Sequence, residues 1–241
     1  MLCWVVERAL AARNVDRAIV ATDDERIAAV VKSAGYEAVM TSAEHRSGTD
    51  RIAEVAAGLG DAEIIVNVQG DEPLISPLTI ERAIQALIED QDAAIATTWE
   101  PIESPADVLN PDVVKIVVDD RDRAIYFSRS PVPHPRDAVS RHGSIEAAIS
   151  AEPALLTSFR KHTGLYVYQR EVLLEFAQWP QSALELLESL EQLRALEHGV
   201  NIKAIEASAP SIGVDTIEDL ERVRQLVSSS KFQVSSSVAQ S

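Results

Sequence analysis

Glu63-Ile64-Ile65-Val66-Asn67-Val68 runs directly into Gln69-Gly70-Asp71-Glu72-Pro73. Four of the first six residues, Ile64, Ile65, Val66 and Val68, are apolar and β-branched, and the run has a length that suits a strand buried on both faces, as in a parallel α/β sheet. The polar cluster falls where that strand ends, and the carboxyl ends of such strands are where open α/β sheets bind ligands. Gly70 lets the backbone come close to a ligand, Asp71 and Glu72 offer hard oxygen donors, and Pro73 sets the exit direction. The same five residues also suit a polar turn that caps the next helix. The rest of the chain decides between the two.

Working outward, strand and helix patterns alternate. Val15 to Ala21 reads as a strand, Asp24 to Ala34 as a helix stopped by Gly35, Tyr36 to Met40 as a strand, and Asp50 to Leu59 as a helix capped by Thr49. After the opening stretch come a helix from Leu78 to Glu89 behind Pro77 and a strand from Ala93 to Thr98. This βαβα order predicts an α/β fold with a mostly parallel, Rossmann-like sheet. Beyond Pro111 the pattern changes. Val113 to Val118 and Ala124 to Phe127 are close enough for a hairpin around Asp119-Asp120-Arg121-Asp122, an antiparallel insert of the kind used as a lid or dimer surface.

Residues 130 to 157 carry Pro131, Pro133, Pro135 and Pro153 and read as a long irregular connection. Leu165 to Tyr168 reads as a strand, Ala183 to His198 as one helix ended by Gly199, Asn201 to Ala207 as a strand, and Thr216 to Val227 as the last helix. The expected organisation is a single domain over residues 1–227, with the insert inside 111–168. Residues 228–241, rich in serine and poor in apolar side chains, are expected to be a disordered tail.

Composition narrows the function classes. With 241 residues and 46% hydrophobic side chains, the chain can bury a large core. Its 22 basic and 38 acidic residues give a formal charge of −16, which excludes a broad nucleic-acid surface. A chain this acidic handles an anionic nucleotide only where a divalent metal and placed arginines reverse the local field. The one cysteine, Cys3, rules out an internal disulfide and a cysteine-based zinc site. No run reaches the ~18 apolar residues of a membrane span, and Glu7-Arg8 interrupts the first apolar stretch too early for a signal peptide, so the expected location is the cytoplasm.

The pentapeptide resembles the signature of the 3-deoxy-manno-octulosonate (Kdo) cytidylyltransferases. Further segments are similar to that family in the same order: Ala21-Thr22-Asp23-Asp24, His45 to Arg51, Asn110-Pro111 to Lys115, Tyr126-Phe127-Ser128-Arg129, His162-Thr163-Gly164-Leu165-Tyr166, Leu190-Glu191-Gln192-Leu193 and Gly213-Val214-Asp215-Thr216. The resemblance implies attack of the Kdo anomeric hydroxyl on the α-phosphorus of CTP, yielding CMP-Kdo for lipopolysaccharide-type sugar synthesis. It also implies a homodimer.

Carried over by motif, Asp71 and Asp215 are the catalytic pair and hold Mg²⁺, each standing at the end of an apolar run. Arg51, Gln69, His162, Tyr166, Glu191 and Gln192 surround the sugar acid. Arg46, Ser47 and Gly48 read the cytosine ring, and Arg129 is a further anion contact. A simpler reading makes Asp215 the N-cap of the last helix and Ser47 to Thr49 a turn and cap. The text Gln69-Gly70-Asp71-Glu72-Pro73 departs from the Gln-Pro-Thr type expected of sialic-acid cytidylyltransferases.

The sequence begins at what resembles the family's first helix. Apolar residues at Leu2, Val5, Val6, Ala9 and Leu10 have the spacing of an amphipathic helix, and the strand and basic triphosphate loop that precede it in the family are absent from the sequence as given. Two origins are consistent with this: a reading frame opened at an internal methionine, or a degenerate copy. Two functions follow, an active cytidylyltransferase or an impaired homologue that binds Kdo or dimerises without turnover.

Overall fold

The computed structural model describes residues 1–214 and 216–228. Helix α1 (Leu2–Leu10) buries Val5 and Val6, as its apolar spacing requires. Strands β1 (Ile19–Thr22) and β2 (Glu37–Met40) flank helix α2 (Glu25–Ser33) and pair in parallel, Ile19 opposite Glu37 through Thr22 opposite Met40. The Asp24 carboxylate caps α2 by accepting from the Arg26 amide at 2.8 Å, and Gly35 turns the chain out of the helix at φ +83°. Val6, Val20, Ala28, Val31 and Ala38 form the buried cluster of this unit.

Helix α3 (Gly48–Ala57) is capped by Ser47, whose hydroxyl accepts from the Asp50 amide at 3.1 Å. The expected cap, Thr49, is already inside the first turn and is only 5% exposed; its hydroxyl is used elsewhere. Strand β3 (Ile64–Asn67), helix α4 (Pro77–Glu89), strand β4 (Ile95–Pro101) and helix α5 (Pro105–Leu109) follow. The insert is a hairpin of β5 (Lys115–Val118) and β6 (Ala124–Ser128), with Asp122 at φ 59° in the connecting turn.

The stretch expected to be irregular folds into α6 (Arg136–His142), α7 (Ile145–Ala151) and a 3₁₀ segment, Pro153–Ser158. Pro135 and Pro153 lie at the starts of α6 and the 3₁₀ segment, where a missing amide proton costs nothing, and Ser144 caps α7 by accepting from the Ala147 amide. Strand β7 (Arg160–Gln169) leads into α8 (Arg170–Phe176). The single helix expected over 183–198 is two, α9 (Ala183–Glu188) and α10 (Gln192–Glu197), because Ser189 takes a left-handed conformation at φ 53° between them. Strand β8 (Ile202–Glu206) and helix α11 (Ile217–Ser228) complete the described chain. Apart from Ser228, the tail lies outside the described residues.

The expected α/β architecture is present. The larger sheet has six strands in the order β6-β5-β7-β4-β8, with β3 also on β7. Strands β3, β4 and β5 each pair antiparallel with β7, and β8 is parallel to β4, so β3, β4, β5 and β8 point one way and β6 and β7 the other. The opening stretch is therefore a strand as expected, but its hydrogen-bonded neighbour runs against it: β7 re-enters the sheet after the long insert. Strands β1 and β2 form a separate two-stranded sheet. Between β1 and β3 lies a cavity of about 670 Å³, lined by Ile19, Ala21, Ile64, Ile65 and Val66 and by α3 and α4 side chains that include Ile52, Val55 and Ile88.

Candidate active site

Strand β7 is where the larger sheet divides. Along one edge it pairs with β4 throughout; along the other, Tyr166 to Gln169 pair with β3 whereas Lys161 pairs with β5. The residues between, His162 to Leu165, stand in the fork where β3 and β5 separate. The ladder to β4 also shifts here, from Thr97 opposite Tyr166 to Thr98 opposite Thr163, leaving Gly164 and Leu165 as a bulge. Bulges bend a strand and re-aim its side chains, so His162 and Tyr166 need not follow simple alternation. A side chain at Gly164 would meet Gln69 Cγ at 3.1 Å; glycine is what lets the Gln69 loop close over the fork.

The fork is lined with aromatic rings. His162 packs edge-on to Phe127 at 5.0 Å between centroids and lies 5.3 Å from Tyr166, which stacks on Tyr168 at 5.8 Å. Burial pushes the His162 imidazole down to about 3, so the ring is neutral at pH 7. Its tautomer follows from its partner. The Thr97 hydroxyl donates its one proton to the Leu165 carbonyl at 2.8 Å and therefore accepts, at 2.9 Å, from His162 Nε2–H. Nδ1 is left without a proton, as an acceptor.

Burial also raises the Tyr166 and Tyr168 phenols, with the nearby Glu191 charge adding to the effect on both. Glu191 accepts from the Thr49 hydroxyl at 2.7 Å and stands, with buried Gln192, at the start of α10. The break at Ser189 is what turns these two residues toward β7 and α3.

Asp71 lies at the end of the Gln69 loop, half-buried, and its carboxylate has no hydrogen bond or ion pair among the described residues. Its carbonyl accepts from the Val214 amide at 2.9 Å, which brings the segment leading to residue 215 against this turn. Asp215 itself lies outside the described residues. Glu72 points the other way, to the Ser211 hydroxyl. Its carboxyl is raised above the usual range, first by burial and then by the Asp71 and Glu100 charges. No cluster of three metal-ligating side chains occurs among the described residues.

The arginines are placed differently. Arg51, from α3, pairs with Asp23 at 3.0 Å and also donates to Thr41, at the carboxyl ends of β1 and β2. Arg46 is exposed and lines a surface depression of about 640 Å³ between α3 and α8. Ser47 and Gly48 form the cap and first residue of α3. Arg129 directs its guanidinium to the carbonyls of Glu188, Pro111 and Ser189 at 2.8, 3.0 and 3.4 Å, a structural use of the side chain. The fork thus gathers Gln69, His162 and Tyr166, with Glu191 near the Tyr166 phenol; Arg46 and Arg129 stand apart from it.

The family model described as cytidylyltransferase matches residues 1–204. The chain is 49% identical over 225 residues to the 3-deoxy-manno-octulosonate cytidylyltransferase of Trichlorobacter lovleyi, covering 93% of this chain and 87% of that protein. It is 52% identical over 223 residues to the enzyme of the same name from Geotalea daltonii, covering 92% and 86%. The chain belongs to the 3-deoxy-manno-octulosonate cytidylyltransferase family. A solved structure of CMP:2-keto-3-deoxy-manno-octonic acid synthetase complexed with CTP superposes with a TM-score of 0.82 at 40% identity, covering 94% of this chain and 86% of that one. The 4-diphosphocytidyl-2C-methyl-D-erythritol synthase of Anaerococcus prevotii shares the fold, with a TM-score of 0.57 at 11% identity over 94% of this chain and 85% of that one.

Two residues that hold this candidate site together escaped sequence reasoning. Thr97 orients His162, and Thr49 anchors Glu191. A signal existed for Thr97, because a threonine in the middle of an apolar strand needs a hydrogen-bond partner when buried. Thr49 gave no such signal, since helix-start threonines usually serve as caps.

Proposed function

We propose that this chain transfers the cytidylyl group of CTP to Kdo, giving CMP-Kdo and pyrophosphate. The observation that supports the reading is the fork in β7, which brings a neutral histidine, a protonated phenol and the Gln69 side chain close together, with the Thr49-anchored Glu191 carboxylate near the phenol. A sugar acid presents hydroxyls and one carboxylate. The hydroxyls suit the His162 Nδ1 acceptor, the Tyr166 phenol and the Gln69 amide, and Arg51, at the carboxyl ends of β1 and β2, is proposed for the carboxylate.

Asp71, with Asp215, is the proposed Mg²⁺ site. The ion when bound would neutralise the triphosphate and stabilise charge on the α-phosphoryl oxygens. The chain's own work is positioning: it holds the anomeric hydroxyl in line with the α-phosphorus while the bond to pyrophosphate breaks, and the hydroxyl proton passes to water. Arg46, Ser47 and Gly48 are proposed to read the cytosine, and Arg129 acts through the loops it ties.

The homodimer belongs to the same reading; exposed Leu186 and Leu187 on α9 and Ile125 on β6 support it. So does a cytoplasmic location, supported by the absence of any helix long and apolar enough to cross a membrane among the described residues.

A second reading, binding without turnover, is favoured by one observation: among the described residues, Arg51 is already paired with Asp23 and Arg129 with carbonyls, so neither guanidinium is free for a triphosphate. Release of pyrophosphate from CTP that requires both Kdo and Mg²⁺ tests the proposal. Kdo binding with no pyrophosphate would establish the second reading instead.

A further inference from the structure

Three polar atoms at the fork, His162 Nδ1, the Tyr166 hydroxyl and Glu191 Oε1, have no hydrogen bond among the described residues. Among those residues only the Trp99 indole nitrogen is both sealed from solvent and unpaired, so a ligand can reach all three. An imidazole nitrogen without a proton and a carboxylate oxygen can only accept, and a phenol can donate or accept. The charges are as uneven. His162 is neutral and Glu191 carries a negative charge, while the neighbouring cations are committed elsewhere. Arg194 pairs with buried Glu185, Lys161 lies 3.7 Å from Glu100, and Lys115 Nζ donates to three backbone carbonyls at 2.6 to 2.9 Å. Arg51 leaves α3 two residues after Thr49, about 200° further round the helix, and meets Asp23 at 3.0 Å.

Thr49 holds the one carboxylate in place. Its hydroxyl donates to Glu191 Oε2 at 2.7 Å across 142 residues of chain. Ser47 caps α3, so the Thr49 hydroxyl is not needed for the helix start. Glu191 stands at the start of α10, just after the Ser189 turn, and its side chain makes no cap bond there. The tie to Thr49 is thus what fixes the carboxylate.

Resting on the reading of the fork as the sugar-acid pocket, we propose that Thr49 is a positioning residue that aims Glu191 Oε1 at the ligand, and that the pair decides which end of the ligand enters: the hydroxyl-bearing end goes in and the carboxylate faces out. A carboxylate beside Glu191 would meet a like charge and lose its water without gaining a counter-ion, whereas a hydroxyl brings the proton that each acceptor lacks. In Kdo the carboxylate is bonded to the anomeric carbon. This orientation therefore also turns the attacking hydroxyl toward the opening.

Titration calorimetry on the full chain tests this with two ligands, Kdo and its methyl ester, which keeps the hydroxyls and lacks the charge. Glu191→Gln should weaken both about tenfold, the scale for losing one hydrogen bond to a charged group. Thr49→Val, which keeps the shape and removes the hydroxyl, should weaken both by a similar factor with circular dichroism unchanged, and Thr49→Ser should restore them. In a Glu191→Ala background Thr49→Val should change neither, because nothing is left to position.

Tighter binding of Kdo but not of the ester by Glu191→Gln would place the carboxylate in the fork and overturn the orientation. A full Thr49→Val effect in the Glu191→Ala background would make Thr49 merely structural and overturn the positioning role. Unchanged affinities in Glu191→Gln, with loss in His162→Ala, would overturn the inference and leave the sugar reading intact. Binding of neither ligand by wild type, or equal affinities in His162→Ala, would remove the sugar reading itself.

Discussion

Strand β7 has hydrogen-bonded neighbours along both edges, β4 on one and β3 then β5 on the other, whereas β1 has β2 on a single edge. The two regions also differ in what surrounds them. Val167 and Leu165 of β7 are 0% and 3% exposed, while Ile19 and Ala21 of β1 line the cavity that separates the sheets. Backbone ladders and buried apolar area coincide in the first region and are both thin in the second. Site residues follow that division. His162 and Tyr166 stand on the well-tied strand, while Arg51 is paired with Asp23, just beyond the loosely tied one. The β7 fork, the proposed sugar pocket, is therefore expected to be more rigid than the crevice beside β1, because local opening free energy follows such contacts.

The largest expected effect separates chemistry from both regions. Asp71→Asn should lower Mg²⁺-dependent pyrophosphate release about a thousandfold, the scale for removing one preorganised electrostatic contact, and leave the thermal midpoint unchanged because the turn lies outside both sheets. Unchanged release would remove Asp71 from the mechanism.

Stability should then divide along the same line. Ile202→Ala, at a fully buried position of β8, should cost about 2–5 kcal/mol in denaturant unfolding, whereas Ile19→Ala, beside the cavity, should cost well under half as much. Equal losses would show that the smaller sheet is as tightly packed as the larger.

Protonation gives a third contrast. Burial holds folded His162 at about 3 against an ordinary 6.5, so as pH falls the unfolded chain takes up the proton first. Stability from this group is complete above pH 6.5 and declines below it, by up to about 1.4 kcal/mol per pH unit. Glu72, raised by burial, acts in the opposite direction above its ordinary 4.5. The difference in unfolding free energy between wild type and His162→Gln cancels the Glu72 contribution, and a flat difference from pH 7 to pH 5 would contradict the burial of His162.

The smallest effect is a gain: Ala21→Val, placing methyl groups in the cavity, should raise stability by about 0.5–1 kcal/mol. A loss of that size would mean that the space closes in solution.

Most elements were legible in the sequence because apolar spacing is local. The opening strand, the helix behind Pro77 and the hairpin around Asp119 to Asp122 are read from a few neighbouring residues. What escaped was set at a distance. The antiparallel entry of β7 depends on an insert whose path no local pattern specifies, and the break at Ser189 is a left-handed residue inside a helical pattern. The α6 helix and the 3₁₀ segment hid behind prolines, Pro135 and Pro153, that sit at their starts.

At the candidate site, motif resemblance singled out Gln69, His162, Tyr166 and Glu191, which the fold places near one another. It could not reveal that Thr97 fixes the His162 tautomer. Nor could it show that the Arg129 guanidinium is spent on carbonyls, because hydrogen-bond partners across 65 or 59 residues leave no local trace.

The central claim is that the fork in β7 is a preorganised pocket for the sugar acid. Titration calorimetry of Kdo into the full chain tests it most directly. Binding should be measurable, and His162→Ala should weaken it by about 1–3 kcal/mol, the scale for an acceptor lost from a buried site, with circular dichroism unchanged. No binding by the folded wild-type chain, or equal affinity in His162→Ala, would contradict it.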